Sequence, residues 1–255
     1  MYRAEEMWGT VISVDVRDRI DPAVVDECYA FFTLVDELFS TWRDDSEIMR
    51  IGRGELHVWD ASPEVREVLA LCDGVRLASG GAFDVTAGAR AVVEPRPGLA
   101  PLDPSGLVKG WAVERAGAFL AHAGARCFSV NAGGDVLTHG DPGGGWRVGI
   151  QHPWTRDRVA AVLCVTDAAV ATSGRYERGD HVFDPHTGRP VEGLVSVTVV
   201  GPDLAIADGY ATAVMVLGER DGMGWLAGRA GFEGMAITDG HTVITTTGFD
   251  RYRLS

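Results

Sequence analysis

Asp208 and Thr212 stand four residues apart in Ala207-Asp208-Gly209-Tyr210-Ala211-Thr212-Ala213. On a helix that spacing puts both side chains on one face, where a carboxylate and a hydroxyl can share a hard cation through oxygen. The alternative is that Asp208 is an ordinary helix N-cap. No run of His and Cys offers a zinc site, so Mg²⁺ is the metal that such oxygens suit. Lys109 is a second candidate. Of the 23 Lys plus Arg, 22 are Arg and Lys109 is the single lysine. In a composition drifted so far toward Arg, a retained lysine marks either chance survival or a site that accepts a compact point charge and excludes a planar guanidinium. It sits in Asp103-Pro104-Ser105-Gly106-Leu107-Val108-Lys109-Gly110, at the start of a helix. Free amides and the helix dipole there suit an anion, and a first-turn lysine opposes the dipole unless a phosphate lies nearby. A solvent-facing lysine stem is the other reading.

Three more segments have polar or glycine-rich turns that could meet a ligand. In Gly80-Gly81-Ala82-Phe83-Asp84-Val85-Thr86, paired glycines let a ligand approach the backbone, and Asp84 with Thr86 can hydrogen-bond a ring edge or a ribose. A helix C-cap followed by an Asx turn would look the same. Asn131-Ala132-Gly133-Gly134-Asp135 is either a tight hairpin turn or a bed for a flat ligand or a diphosphate. Ala171-Thr172-Ser173-Gly174-Arg175-Tyr176 and His181-Val182-Phe183-Asp184-Pro185-His186-Thr187-Gly188 are dense in polar groups, though Asp-Pro and Thr-Gly are also standard turn chemistry. His181 taken alone reads as a hydrogen-bonded structural histidine.

Composition limits what these groups can serve. The 255 residues carry 36 Asp plus Glu against 23 Lys plus Arg, a net charge of −13. That balance argues against nucleic acid or an anionic membrane as the main partner, because both need a basic surface. A phosphate-bearing ligand then needs a local device such as a metal, a helix N-terminus or one placed cation. No GxGxxG, Walker A, HExxH or GxSxG occurs, which weakens nicotinamide, P-loop, zincin and hydrolase readings. The polar start and the lack of any run near the roughly 20 apolar residues of a membrane span point to a cytoplasmic protein without a secretory signal. Cys28, Cys72, Cys127 and Cys164 form no CxxC pair and read as buried free thiols.

The elements that must position these residues follow from periodicity. Thr10 to Val16 alternates as a strand. Asp21-Pro22 and Ser62-Pro63 open helices, and a third helix spans about Leu107 to Ala123, ending at Gly124. Strands are expected over 126–130, 146–151, 159–166 and 194–200, then helices over 204–217 and 222–230. A hairpin pairs 235–238 with 242–246 around Asp239-Gly240. Strands cluster without strict βαβ alternation, so the class is α+β in one domain spanning 1–255. Glu94 to Pro104 reads as a proline-rich surface loop.

In their order, these pieces resemble the ApbE family of Mg²⁺-dependent FAD:protein FMN transferases. The resemblance rests on Trp8-Gly9-Thr10, Phe39-Ser40-Thr41-Trp42, Gly81 to Thr86, Asp103 to Gly110, Asn131 to Asp135, Ala171 to Gly174, His181 to Gly188, Ser196 to Val199 and Asp208 to Thr212. It implies an α+β, T-fold-like architecture with mixed or antiparallel sheets and flanking helices. It implies flavin contacts from Trp8, Trp42, Ala82, Phe83, Asp84, Thr86, Asp103, Lys109 and Phe183. It also implies Mg²⁺ ligands from the Gly106 carbonyl, Asp208 and Thr212, and catalytic roles for His181, Lys109 and Asp208. The implied reaction moves FMN from FAD to a Thr or Ser hydroxyl of a partner flavoprotein, with release of AMP. FAD hydrolysis to AMP and FMN, or FAD binding without turnover, are the alternatives. Departures from the family pattern are Trp8 in place of Met, Pro104-Ser105 in place of Leu-Gly, Gly209-Tyr210 in place of Ala-Leu, and Arg175 where an acidic residue is frequent. They leave the implied metal ligands intact, and the missing lipoprotein signal suggests a cytosolic acceptor.

Overall fold

The computed structural model describes residues 1–87, 102–155, 157–175 and 182–254. His181, Tyr176 and most of the proline-rich stretch lie outside these residues.

Chain order explains most of the pairing. Strands β1 (Tyr2–Met7) and β2 (Thr10–Val16) form a hairpin through Trp8-Gly9, with φ of 56° and 73°. Two left-handed residues give the turn whose twist matches the strands. Trp8 adopts this conformation without glycine's freedom, and its indole Nε1 donates to the Phe32 carbonyl at 3.2 Å. β3 (Phe128–Ala132) and β4 (Asp135–His139) repeat the design around Gly133-Gly134. The Asn131 side chain accepts the Gly134 N–H at 2.9 Å, so this segment is a hairpin turn. β5 (Trp146–Gln151) and β6 (Val159–Val165) form a separate two-stranded sheet. β7 (Ala168–Gly174), β8 (Leu194–Gly201), β9 (Glu233–Thr238) and β10 (Val243–Thr245) complete an eight-stranded sheet in the order β1-β2-β3-β4-β7-β8-β9-β10. The strand pairs are antiparallel throughout, which resolves the expected mixed or antiparallel character.

The α-helices are α1 (Pro22–Phe39), α2 (Glu47–Gly52), α3 (Pro63–Ala78), α4 (Ser105–His122) and α5 (Leu204–Ala227), with short 3-10 turns at Val58–Asp60 and Phe249–Tyr252. Asp21 and Ser62 cap α1 and α3 as their sequences dictate. α5 comprises the two helices expected there, which meet at a kink where Gly218 has the non-helical φ 80° and ψ −176°. The larger core joins helices to one sheet face through Phe32, Leu107, Leu120, Leu204, Met215 and Leu226. The smaller core lies under β5 and β6 on the other face, around Trp146, Leu163, Met235 and Phe249. Central β8, covered on both sides, is buried at every position. Cys28 and Cys72 are buried as expected, whereas Cys127 and Cys164 are partly exposed.

Two helices distant in sequence, α4 and α5, make the contact that matters most. A Cβ at Gly110 would lie 2.5 Å from the Leu204 carbonyl oxygen, so only glycine lets the backbones approach this closely. Gly110 N–H donates to Asp208 Oδ2 at 3.3 Å, and a Cβ at Gly106 would lie 3.0 Å from Thr212 Oγ1. One turn further along α4, Glu114 Oε1 accepts the Leu204 N–H at 2.6 Å. As α4 advances from 106 through 110 to 114, its partners on α5 recede from 212 through 208 to 204. That is a register set in whole helical turns.

Gly110→Ala should therefore destabilise the fold by about 2 kcal/mol in urea titration, although alanine is the better helix former by about 1 kcal/mol. A variant as stable as the parent would show that the backbones can part without cost. Glu114 generates a pH signature as well. Burial raises its pKa from 4.5 to about 7, and the nearby charge of Asp203 adds to the rise. Below pH 4.5 the carboxyl is protonated in folded and unfolded chains alike, so the penalty is absent. It grows as pH rises to about 7 and is constant above. The stability advantage of Glu114→Gln over the parent should be absent below pH 4.5, grow up to about pH 7 and stay constant above it, and parallel pH–stability curves would rule this out.

Candidate functional site

A cleft of ≈ 270 Å³ opens where α4, α5 and β7 meet the segments following α1 and α3. Its floor comes from α4 and α5. α4 begins at Ser105, whose N–H donates to Asp103 Oδ1 at 3.0 Å, so Asp103 closes the helix start that Pro104 cannot cap. That start puts Gly106 in the first turn and Lys109 in the second, one turn later than the sequence suggested. α5 carries Asp208, 3% exposed, and Thr212 one turn on. The helix is capped by Asp203, so Asp208 is not its N-cap. Ser173 on β7 completes the floor, its Oγ 3.1 Å from Thr212 Oγ1.

The walls are aromatic and backbone-rich. After α3, Gly80 and Gly81 turn the chain with φ of 64° and 89°, and Ser79 Oγ accepts the Phe83 N–H at 3.1 Å. This presents Ala82 and Phe83 to the cleft from a buried loop. Asp84 lines it too, with Oδ1 accepting both the N–H and the Oγ1–H of Thr86, at 2.8 and 2.7 Å. The C-cap and Asx-turn reading and the ligand-wall reading of this segment are therefore both realised. Trp8 at the β1–β2 turn and Phe183 before β8 form other parts of the wall. Trp42, 88% exposed, stands at the mouth.

Most of the residues implied by the family resemblance converge on this cleft. Trp8, Trp42, Ala82, Phe83, Asp84, Asp103, Gly106, Lys109, Phe183, Asp208 and Thr212 all line it. Thr86 does not: its hydroxyl is spent holding Asp84, which makes it a support for that carboxylate. His181 lies outside the described residues. Thr172 and Ser173, read only as part of a polar turn segment, also line the cleft, and so does Asp36, which the sequence did not single out. Behind the lining lies Asp135, quoted in the Asn131 to Asp135 turn but given no role of its own, which is 0% exposed at the start of β4. Its Oδ1 accepts the Thr172 N–H at 3.0 Å, and its Oδ2 lies 2.6 Å from Lys109 Nζ. The latter contact has the distance of an ion pair without the angles of a hydrogen bond, so charge is what holds it. The only sequence signal for Asp135 was its place directly after Gly133-Gly134.

The resulting electrostatics are unusual for a phosphate site. Among the described lining residues, Asp36, Asp84, Asp103 and Asp208 face one cation, Lys109, whose charge Asp135 already balances. A diphosphate entering this cleft needs further positive charge. The Asp208 carboxylate, the Thr212 hydroxyl and the Gly106 backbone are donors of the hard kind that Mg²⁺ takes. Any side chain at Gly106 would fill the gap beside Thr212 Oγ1, so the residues present fit such a cation. Gly110 N–H adds to the case. Its regular helical acceptor is the Gly106 carbonyl, and its bond to Asp208 competes for it.

Known proteins resemble this chain in sequence and in fold. The sequence model of the ApbE family matches residues 8–94 and 92–236. An FAD:protein FMN transferase of Klebsiella pneumoniae (strain 342) is 30% identical over 237 residues, covering 72% of this chain and 68% of that protein. One from Rhodobacter capsulatus is 39% identical over 157 residues, which cover 57% of this chain and 29% of that protein. In three dimensions, the flavin transferase ApbE from Vibrio cholerae superposes with a TM-score of 0.85 at 25% identity, covering 99% of this chain and 98% of the other. The apbe protein from Thermotoga maritima msb8 shares the fold, with a TM-score of 0.85 at 20% identity. By sequence and by architecture, this chain belongs to the ApbE family of flavin transferases.

Proposed function

We propose that the chain transfers FMN from FAD to a Thr or Ser hydroxyl of a partner flavoprotein, with Mg²⁺, and releases AMP. The observation that carries this reading is the cleft itself: aromatic walls for a flat ring above a floor of oxygen donors beside a lysine. Eight of the ten described strands share one main sheet, which supports reading 1–255 as a single transferase domain. No described helix is long and apolar enough to cross a membrane. The acceptor is read as a cytoplasmic flavoprotein.

In this reading Trp8, Phe83 and Phe183 present apolar and aromatic surface to the flavin, and Trp42 covers it at the mouth. Asp84, held in place by Thr86, accepts hydrogen bonds from the ring edge or ribitol. Asp103 meets the adenosine part. Lys109 points its compact charge at the non-bridging phosphate oxygens, kept in place by Asp135. The Gly106 carbonyl, Asp208 and Thr212 would hold Mg²⁺, which supplies the positive charge for a diphosphate that this acidic cleft lacks. The acceptor oxygen bonds to the FMN phosphorus, the bond to the AMP phosphate oxygen breaks, and the hydroxyl proton passes to a base. His181 is proposed for that proton or for positioning the phosphate.

The direct test is incubation with FAD, Mg²⁺ and an acceptor domain bearing one Thr or Ser site. A mass gain of one FMN with release of AMP is expected. AMP and free FMN formed equally without acceptor would make the protein a hydrolase, and intact FAD would make it a binding protein. Asp208→Ala should lower kcat by about 10²-fold or more and remove the response to Mg²⁺; an unchanged rate would sink the metal assignment. Lys109→Arg keeps the charge yet should lower kcat/KM by about tenfold, ~1.4 kcal/mol, because the wide fork cannot occupy the place of Nζ beside buried Asp135. Activity equal to the parent would return Lys109 to the status of a compositional survivor.

A further inference from the structure

The first amides of α5 are accounted for one by one. Asp203 caps the Ile206 N–H at 2.8 Å, and its carbonyl accepts the Ala207 N–H at 3.0 Å. The two remaining amides, those of Leu204 and Ala205, are served by the carboxyl of Glu114 on a different helix. A carboxyl placed there is costly, because burial disfavours its charge and Asp203 lies close by. Leu204 and Ala205 are 0% and 1% exposed, so water cannot serve these amides and their partner has to come from another element.

We propose that Glu114 is a positioning residue: by fixing Leu204 it sets the axial register of α5 on α4, and so places Asp208 and Thr212 opposite Gly106. The geometry between these points is continuous. A helix rises 1.5 Å per residue, so Asp208 and Thr212 follow Leu204 at about 6 and 12 Å along one stiff rod. The contact at Gly110 brings the backbones close but offers no side chain to interlock, so it sets distance rather than axial position. The directional bond at the glycine itself, from Gly110 N–H to Asp208 Oδ2, is long at 3.3 Å, and Glu114 supplies the shorter one, 2.6 Å from the Leu204 amide. The catalytic consequence rests on the proposed Mg²⁺ reading, whereas the register belongs to the free protein.

Amide hydrogen exchange on the full chain, without ligands, separates register from capping. Glu114→Ala should speed exchange from Leu204 through Thr212, and Glu114→Gln, which keeps the acceptor, should restore the parent pattern. With FAD and Mg²⁺, the alanine variant should raise the Mg²⁺ concentration for half-saturation about tenfold while the KM for FAD stays within about twofold. Glutamine should again restore the parent value. Glu114→Asp, one methylene shorter, should shift the Mg²⁺ response in the same direction as alanine, and it carries the test should the alanine variant not fold. Faster exchange confined to Leu204 and Ala205, or an aspartate variant equal to the parent, would reduce Glu114 to a helix cap and overturn the proposal. If the parent shows no Mg²⁺ response, the metal reading fails while the exchange pattern still decides the register.

Discussion

The absence of a side chain at Gly110 sets how the other parts of the site are arranged. With 2.5 Å between a notional Cβ and the Leu204 carbonyl oxygen, α4 and α5 touch backbone to backbone. Only at that separation does the Gly106 backbone reach Thr212, and only then does the Gly110 amide reach Asp208. Neither helix is a site alone. One brings a carbonyl and a lysine, the other a carboxylate and a hydroxyl. The sheet serves as the platform that holds both, with β7 delivering Ser173 to Thr212 and the backbone of Thr172 to Asp135.

Charge is organised around the same junction. Removing Asp135 fully from solvent is tolerable because Lys109 Nζ and the Thr172 amide occupy its two oxygens. The lysine is thereby held beside the cleft by a partner that also cancels it. The acidic composition, which seemed to argue against phosphate ligands, takes a local form here: four aspartates line a cleft whose described cation is already balanced.

How much of this could be read from the sequence depended on whether a residue's role was local. Asp21, Ser62 and the alternation of β2 act within a few residues of themselves, and they appeared as expected. Asp208 and Thr212 were legible because a spacing of four survives in any helix. Ala171 to Gly174 was read as part of a polar turn segment because, with only Val170 and Thr172 branched and no aromatic residue, Ala168–Gly174 carries a weak strand signature. The two helical stretches of α5, which meet at the kink at Gly218, lie close to where their apolar runs placed them. Asp135 was read only as part of its glycine turn and Glu114 drew no notice, for a common reason. Each acts on a partner distant in sequence, Lys109 in one case and Leu204 in the other, and a single sequence carries no mark of such pairs. The only foreshadowing of the first was its lysine, conspicuous because 22 of 23 basic residues are Arg.

That compensated lysine has a consequence for how ligands enter on the proposed reading. A cleft with an uncompensated cation would attract any phosphate, including the product AMP, and would release it slowly. Here Lys109 brings no net charge until its pairing with Asp135 is shared with a ligand, so attraction for a diphosphate depends on the cation held by Asp208, Thr212 and Gly106. If Mg²⁺ strengthens FAD binding in this way, FAD must strengthen Mg²⁺ binding by the same factor, because the two are linked through one free energy. The empty cleft then has little affinity for either alone, and the pair assembles together. Product release follows from the same linkage: once the diphosphate bond is broken, each phosphate holds the cation less firmly than the intact bridge did, and the cleft's aspartates favour departure of both.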